Sequence, residues 1–222
     1  AGAIQDNDRG VIIGRRSFGK GLVQEPIDFT DGSGFRLTVS RFYTPSGRCI
    51  QKPYTDDYEL DFYQRYYSGE LTSADSIKVD TTKLYYTASG RRVYGGGGII
   101  PDVFVPIDTT KVSNFYISVN KKSTQLRFAS KFFDQHREEL LQIGDFDSLD
   151  RFFQASQMEE AFRRYALDID GLEESDELWD ETRKYMLPSL KGLVGRYSMV
   201  GENAFYYFYK DIDPVMVSAL AQ

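Results

Sequence analysis

The sequence VIIGRRSFGKGLVQ, residues 11–24, decides how the first half of this chain folds. It opens with Val11-Ile12-Ile13, a short apolar run bounded by glycines, which predicts a buried β-strand. It ends with Leu22-Val23-Gln24, which again has the composition of a strand. Between the two lies a loop centred on Lys20, with a glycine on either side. The stretch therefore predicts two strands joined by a glycine-lysine loop.

One alternative interpretation of this loop is a phosphate-binding site. Gly14, Gly19 and Lys20 follow a strand at the spacing G-x-x-x-x-G-K, which is most of a phosphate-binding loop. In that motif the next residue is Ser or Thr, which holds Mg²⁺, whereas here it is Gly21. The motif should also open a helix, yet residues 22–26 resemble a strand and end in a proline. The sequence thus disfavours nucleotide binding.

Strands and turns continue through the first half of the chain. Residues 21–29 and 35–43 have the composition of strands, and the turn-rich residues between them predict a hairpin. Residues 84–87 and 91–94 predict a second hairpin. Residues 54–71 are aromatic and acidic, and we expect an irregular or partly helical excursion there.

The second half has a different pattern. Near Thr109 the period of the apolar residues changes from two to about 3.6, which predicts helices for the rest of the chain. The pairs Asp147-Ser148 and Asp170-Gly171 predict breaks between helices. We place a domain boundary here, so that residues 1–109 and 110–222 form separate domains.

Together these segments predict an α+β fold. A partial β-sheet with a flanking helix at residues 1–6 is followed by a mostly helical domain. No capping residue precedes that first helix, so we expect the chain to be a fragment of a longer one.

Composition narrows the classes of function. The 222 residues carry a net charge of -6, and the acidic residues concentrate in the second half, which argues against nucleic acid as a partner. The single cysteine, Cys49, excludes an internal disulfide and a thiolate metal cluster. Asp145, Asp147 and Asp150 lack the glycine and glutamate of a calcium loop, so helix capping is the better interpretation. We expect neither a cofactor nor a metal.

Lys20 is the candidate catalytic residue. A serine nucleophile loses its proton during attack, and a neutral lysine can accept that proton in place of histidine. For this the lysine pKa must fall from about 10.4 toward roughly 7–8, through burial or nearby positive charge. Three apolar neighbours are expected to desolvate Lys20, namely Phe18, Leu22 and Val23.

Polar neighbours are expected to assist Lys20. Arg15 and Arg16 would add the pressure of like charge on its ammonium group. Gln24, four residues further along an extended strand, would point to the same side, so that its amide could hydrogen-bond the amine.

Three segments of the chain together resemble the core of the carboxyl-terminal processing (tail-specific) serine peptidases. They are residues 1–24, which contain the glycine-lysine loop and Gln24; residues 37–51, which contain the Thr44-Pro45-Ser46-Gly47 turn; and residues 90–102, which contain the Gly95–Gly98 run. The resemblance implies a serine endopeptidase with a Ser-Lys dyad, in which Lys20 is the general base and Gln24 supports it. It also implies that the nucleophilic serine lies just before Ala1, so this chain alone is expected to be inactive.

The same resemblance implies the setting of the whole protein. Its substrates would be proteins or peptides with exposed C-terminal tails, and a PDZ domain would lie upstream. The implied location is the bacterial cell envelope or periplasm, although the 222 residues contain no signal-peptide pattern. In this interpretation residues 1–109 are the C-terminal part of the peptidase core, and residues 110–222 are a helical extension.

A second interpretation belongs to a different class: a non-catalytic binding or oligomerisation module of a degenerate peptidase homologue. The aromatic run Phe205 to Tyr209 is too dense for one face of a solvated helix, so it is expected to pack in a core or an interface. A homodimer is a further expectation of this interpretation. His136 is expected on a solvated helix face, without a functional role.

Overall fold

The computed structural model describes residues 1–54, 60–108 and 113–222, and of Phe62 it describes the backbone alone. Helices and short strands are both present, so the α+β fold class is confirmed. The chain divides into two compact units, Ala1–Asp108 and Thr109–Gln222. The assignment of residues 1–109 to a peptidase core remains a prediction.

The first unit, over its described residues, combines short strands with two helices and one 3-10 turn. In chain order these are α1 (Gly2–Asp6), β1 (Ile13–Gly14), β2 (Leu22–Asp28), β3 (Gly34–Arg41), α2 (Asp61–Tyr67), the 3-10 turn (Ala74–Ser76), β4 (Leu84–Tyr86), β5 (Arg92–Tyr94) and β6 (Val103–Phe104).

The strands pair two by two. β2 and β3 form an antiparallel hairpin, β4 and β5 form another, and both predicted hairpins are thereby confirmed. β1 lies parallel to β6. The prediction of a buried strand over residues 11–13 is wrong, since Val11 is 57% exposed and lies outside β1. The reason is the short partner: β6 offers a ladder of only two residues, Val103 and Phe104.

The β2–β3 hairpin is amphipathic. In its turn, Asp31 Oδ1 accepts a hydrogen bond from the Ser33 backbone N–H at 3.0 Å, and Gly32 has a φ of +85°. Cross-strand pairing puts three large apolar side chains on one face of the hairpin, and all three are exposed: Ile27, Phe35 and Leu37.

The excursion predicted for residues 54–71 is confirmed where the structure describes it. Helix α2 lies within it and is followed by a turn in which Gly69 has a φ of +80°. Residues 55–59 of that segment lie outside the described residues.

The second unit is helical throughout its described residues, as the 3.6-residue period predicts. Its helices are α3 (Asn114–Lys121), α4 (Thr124–Gln135), α5 (Arg137–Leu140), α6 (Phe146–Ala155), α7 (Met158–Asp170), α8 (Asp176–Gly195), α9 (Asn203–Tyr209) and α10 (Pro214–Leu220). Their apolar faces meet in one core that includes Phe128, Phe162, Trp179 and Leu190. No described helix is long and apolar enough to cross a membrane.

The structure corrects one of the two predicted helix breaks. Helix α7 ends at Asp170, and Gly171 follows in the left-handed conformation with a φ of +61°, as predicted. The break predicted at residues 147–148 is wrong, because these residues lie in the first turn of α6. That helix begins after Asp145, whose carboxylate accepts a hydrogen bond from the Ser148 backbone N–H at 2.7 Å. Asp145 is therefore a helix cap, as expected.

Two aromatic predictions have mixed outcomes. The His136 ring lies 4.5 Å from that of Phe132, measured between centroids, and its side chain is 28% exposed, so a solvated face is wrong for His136. Within the run from 205 to 209, the Tyr207 ring stacks on Phe146 at 4.0 Å, which is the expected packing. Tyr206 of the same run is 58% exposed.

Candidate functional site

The lysine loop, residues 15–21, connects β1 to β2 and requires glycine on both sides of Lys20. Gly19 has a φ of +88°, and a Cβ on it would lie 3.0 Å from the backbone N of Gly98. A Cβ on Gly21 would lie 2.6 Å from Cγ1 of Ile50. Gly19 therefore lets the loop pass close to the backbone at Gly98, and Gly21 leaves room for the Ile50 side chain.

Three hydrogen bonds fix the backbone on either side of Lys20. The Gly19 carbonyl accepts one from the Lys52 N–H, and the Gly21 carbonyl accepts one from the Phe42 N–H, both at 2.8 Å. The Gly21 N–H donates to Oε1 of Gln51, also at 2.8 Å. Because the Gln51 side chain is buried, this last bond is shielded from competing water. The position of the lysine Cα is thus set from both sides.

The Lys20 side chain itself is exposed. Its ammonium group makes no hydrogen bond and no ion pair within the described part of the chain. The expected desolvation by Phe18, Leu22 and Val23 is therefore absent from this structure. Phe18 instead lies beneath another lysine, since Nζ of Lys52 is 4.2 Å from the centre of its ring.

Gln24 lies in β2, whereas Lys20 lies before that strand begins. A register shift between Val23 and Gln24 interrupts the alternation of side chains on which the expected alignment of Lys20 with Gln24 depended. The Gln24 amide donates to Oγ1 of Thr38 at 3.2 Å, across the hairpin. The structure therefore brings the two predicted site residues onto adjacent segments without a direct bond between them, and their catalytic roles remain predictions.

Of the two arginines in the loop, Arg16 does not act on Lys20 as expected, and the expectation for Arg15 remains a prediction. Arg16 forms a two-fold hydrogen-bonded ion pair with Glu70, with its Nε 2.6 Å from Oε1 and its Nη2 2.5 Å from Oε2. The Arg15 guanidinium donates to the Val105 carbonyl at 3.2 Å. Since Glu70 neutralises Arg16, the prediction of like-charge pressure from this residue is wrong.

Helix α1 is joined to the turn at residues 44–47 through buried polar side chains. Arg48 Nη2 donates to Oε1 of Gln5 at 2.8 Å and lies 2.5 Å from Oδ1 of Asp6. The Ser46 hydroxyl donates to the other Asp6 oxygen at 2.7 Å. Gln5 also donates to Oδ1 of Asp102 at 2.9 Å. The three segments that carry the family resemblance are therefore physically connected.

Sequence reasoning missed the structural roles of Arg48 and Gln51. Both lie in the segment that resembles the peptidases, immediately after the turn at residues 44–47. The available signal was their polarity at positions next to apolar residues, because a buried polar side chain needs specific partners. Sequence alone does not name those partners.

The phosphate-loop alternative fails on the fold. The lysine loop leads into strand β2 and not into a helix, so it has no helix N-terminus to face a phosphate. Over the described residues, no group of three His, Cys, Asp or Glu side chains is placed to hold a metal ion.

Comparison with known proteins identifies the class to which this site is similar. The model of peptidase family S41 matches residues 1–60, which include the lysine loop, Gln24, Arg48 and Gln51. The resemblance drawn from the sequence is thereby confirmed for this part of the chain.

Individual relatives carry more specific names. The C-terminal processing peptidase, chloroplastic, of Tetradesmus obliquus is 50% identical over 62 residues, which is 28% of this chain and 13% of that protein. The carboxy-terminal-processing protease of Bartonella bacilliformis is 53% identical over 51 residues, or 23% of this chain and 12% of the relative. The carboxy-terminal processing protease CtpB of Bacillus subtilis is 35% identical over 81 residues, which is 36% of this chain and 17% of that protein.

These alignments cover a small part of each relative, and no solved structure matches the chain. The chain is thus similar to C-terminal processing peptidases of family S41 over its first unit's lysine loop and hairpin.

Proposed function

We propose that this chain supplies the general base of a serine endopeptidase that cleaves proteins recognised by their C-terminal tails. Lys20 accepts the proton of the attacking serine, and Gln24 supports the lysine from strand β2. The serine belongs to sequence before Ala1, so the 222-residue chain alone does not turn over substrate. An upstream PDZ domain selects the tails.

The observation that carries this proposal is that the backbone of the lysine loop is fixed by hydrogen bonds while the Lys20 ammonium group remains accessible. Hydrogen bonds to Gly19 and Gly21 fix the backbone on both sides of Lys20. Its ammonium group has no partner among the described residues. A general base must be held in place beside the nucleophile, and the fixed backbone of the lysine loop meets this requirement. The burial that a lysine base also needs is not supplied by the described residues, so in this proposal it comes from the part of the protein that carries the serine.

The names of the relatives support the proposed class of substrate, and the location is part of the proposal. Those named above are called C-terminal processing proteases, one from a chloroplast and two from bacteria. By analogy, the substrates here are proteins with exposed C-terminal tails, in a bacterial cell envelope or periplasm.

The test removes the base from the protein that contains this chain and its upstream sequence. Lys20→Ala should lower kcat for a tail-bearing substrate by about 10²–10⁴-fold, the usual contribution of general base catalysis. Lys78→Ala is the matched control, since Lys78 is an exposed lysine of the same unit. Cleavage by Lys20→Ala at the rate of Lys78→Ala would exclude Lys20 as the base.

A second candidate function, assembly, draws on the end of the helical unit. Helix α10 has no buried residue, and Val217 and Leu220 on it are 48% and 73% exposed. Such a surface suits a homodimer or a docked partner. Light scattering over a range of concentrations tests this function, and a monomer at every concentration would count against it.

A further inference from the structure

We infer that Arg65, on helix α2, is a positioning residue for Lys20; this inference rests on the proposed function. Arg65 lies beyond residues 1–60, the part of the chain that the peptidase family model matches. Its side chain is only 7% exposed. From α2 its guanidinium reaches back to the lysine loop, 47 and 48 positions earlier in the sequence.

The contact is made to two consecutive carbonyls of the loop. Arg65 Nη1 donates to the Ser17 carbonyl at 3.1 Å, and Nη2 donates to the Phe18 carbonyl at 3.3 Å. A planar guanidinium can bind both carbonyls at once, which a lysine ammonium on its single flexible stem does poorly. Because the loop belongs to no strand here, these carbonyls have no partner in a sheet ladder.

Arg65 is itself paired with an acidic residue of its own helix. Its Nε lies 2.9 Å from Oδ2 of Asp61, one helical turn earlier on α2, and this contact is an ion pair without the geometry of a hydrogen bond. The same Asp61 oxygen lies 3.2 Å from Nζ of Lys52. The backbone N–H of Lys52 in turn donates to the Gly19 carbonyl. Asp61 thus links Arg65 and Lys52, the two residues that donate hydrogen bonds to the loop on the N-terminal side of Lys20.

The result is a nearly continuous set of anchors. Arg65 binds the carbonyls of Ser17 and Phe18, Lys52 binds that of Gly19, and Gln51 binds the N–H of Gly21. Lys20 is the residue between these anchors. Ser17 is also held by Ile99, whose carbonyl accepts from the Ser17 N–H at 2.9 Å. Without Arg65 the Phe18 carbonyl next to Gly19 loses its side-chain donor, and a displacement of about 1 Å at a catalytic group can cost about 10² in rate.

The test combines a structural readout with kinetics in the full-length protein. In Arg65→Met, hydrogen exchange at the Lys52 amide should rise at least about tenfold, because its acceptor carbonyl on Gly19 becomes mobile. The Ala88 amide, which donates to the Asp6 carbonyl, should keep its rate. Arg92→Met is the matched control, since Arg92 is an exposed arginine of the same unit.

The kinetic arm separates positioning from binding. Arg65→Met should lower kcat by about 10²-fold with little change in KM, because the lysine is misplaced while the substrate still binds. Millimolar guanidinium added to Arg65→Gly should restore part of that loss. Unchanged Lys52 exchange together with an unchanged kcat would overturn the inference.

Two further outcomes are decisive. If the Ala88 amide also exchanges faster in Arg65→Met, then Arg65→Lys decides, because it keeps charge and packing but loses the two-carbonyl fork. Wild-type kcat in Arg65→Lys would overturn the inference, whereas a reduced kcat with normal Ala88 exchange would support it. If the wild-type protein has no peptidase activity, the proposed function fails, but the exchange data still decide whether Arg65 holds the lysine loop.

Discussion

Arg48 and Asp6 form an ion pair in which Nη2 lies 2.5 Å from Oδ1, and their side chains are only 1% and 0% exposed. A buried pair of this kind is tolerated when the remaining donors and acceptors are also satisfied. Here the second Asp6 oxygen accepts from the Ser46 hydroxyl, and Arg48 Nη1 donates to the Tyr94 carbonyl at 3.0 Å. The pair therefore fixes helix α1 against both the turn at residues 44–47 and strand β5.

Removing the arginine should destabilise the first unit strongly. Arg48→Met fills a similar volume but leaves the Asp6 carboxylate buried without its charge partner, so we expect the free energy of unfolding to fall by about 3–5 kcal/mol. Exchange at the Ala88 amide, which donates to the Asp6 carbonyl, measures this in the native protein. Arg36→Met on the exposed hairpin should change it by about 0.5 kcal/mol at most. Equal effects of the two substitutions would contradict the assigned role.

Acidic pH should destabilise the first unit, because it protonates the Asp6 carboxylate. Burial alone would raise the Asp6 pKa, but hydrogen bonds from Thr44, Ser46 and Arg48 together outweigh burial and hold that pKa below its ordinary 3.8. Below about pH 4 the unfolded chain therefore binds more protons than the folded chain. The stability that Asp6 contributes is complete above this pH and is lost as the pH falls through the folded pKa.

Urea unfolding at a series of pH values from neutral to acidic checks this expectation. Ser46→Ala removes one hydrogen bond to Asp6, so the free energy of unfolding should fall less steeply at acidic pH. Asp6→Asn should remove the contribution of this residue to that fall altogether. If the free energy of unfolding of Asp6→Asn falls at acidic pH as steeply as that of the wild type, other carboxylates determine the acid sensitivity.

Much of the local structure was predictable from the sequence. Both hairpins follow from turn residues between alternating runs, and Gly171 ends α7 because glycine adopts the left-handed conformation without steric cost. The lysine loop was recognisable from its flanking glycines, which are required by the close contacts of Gly19 with the Gly98 backbone and of Gly21 with the Ile50 side chain.

The environment of the site was not predictable, because its partners are distant in sequence. Glu70, which neutralises Arg16, and Arg65, which binds Ser17 and Phe18, lie in a segment with no clear period. The bulge after Val23 depends on cross-strand register, which local composition does not encode. The exposure of Lys20 likewise follows from the tertiary arrangement.

In the second unit, Glu174 should be a destabilising residue at neutral pH. Both of its carboxylate oxygens are buried and have no hydrogen-bond partner in the structure as described. Burial raises the Glu174 pKa, although Arg163 partly opposes this. Glu174→Gln removes a charge that is poorly solvated when folded, so it should raise the free energy of unfolding at pH 7 by about 1 kcal/mol.

The pH dependence distinguishes this cause from a packing effect. The folded-state pKa of Glu174 is raised, so above the ordinary value of 4.5 the folded chain holds more protons than the unfolded chain. Stability then falls as the pH rises from about 4.5 through the folded pKa. Glu174→Gln should abolish this fall, whereas Glu173→Gln, at an exposed neighbour, should preserve it. A parallel shift of the curve at all pH values would point to packing instead.

Gly98 should be far less replaceable than Gly90, although the two have nearly the same backbone conformation. Their φ angles are +89° and +86°, so alanine at either position carries a conformational cost of about 1–2 kcal/mol. A Cβ at Gly90 meets nothing within 4 Å, whereas one at Gly98 would lie 2.1 Å from the Ser17 carbonyl oxygen. We therefore expect Gly98→Ala to cost a further 1–3 kcal/mol or so in urea unfolding, because backbone must move to relieve the overlap.

Since Ser17 belongs to the lysine loop, Gly98→Ala should also speed hydrogen exchange at the Lys52 amide, which Gly90→Ala should leave unchanged. Equal losses of stability in the two variants would mean that the loop yields at Ser17 without cost, and that the close approach to Gly98 does not hold the lysine in place.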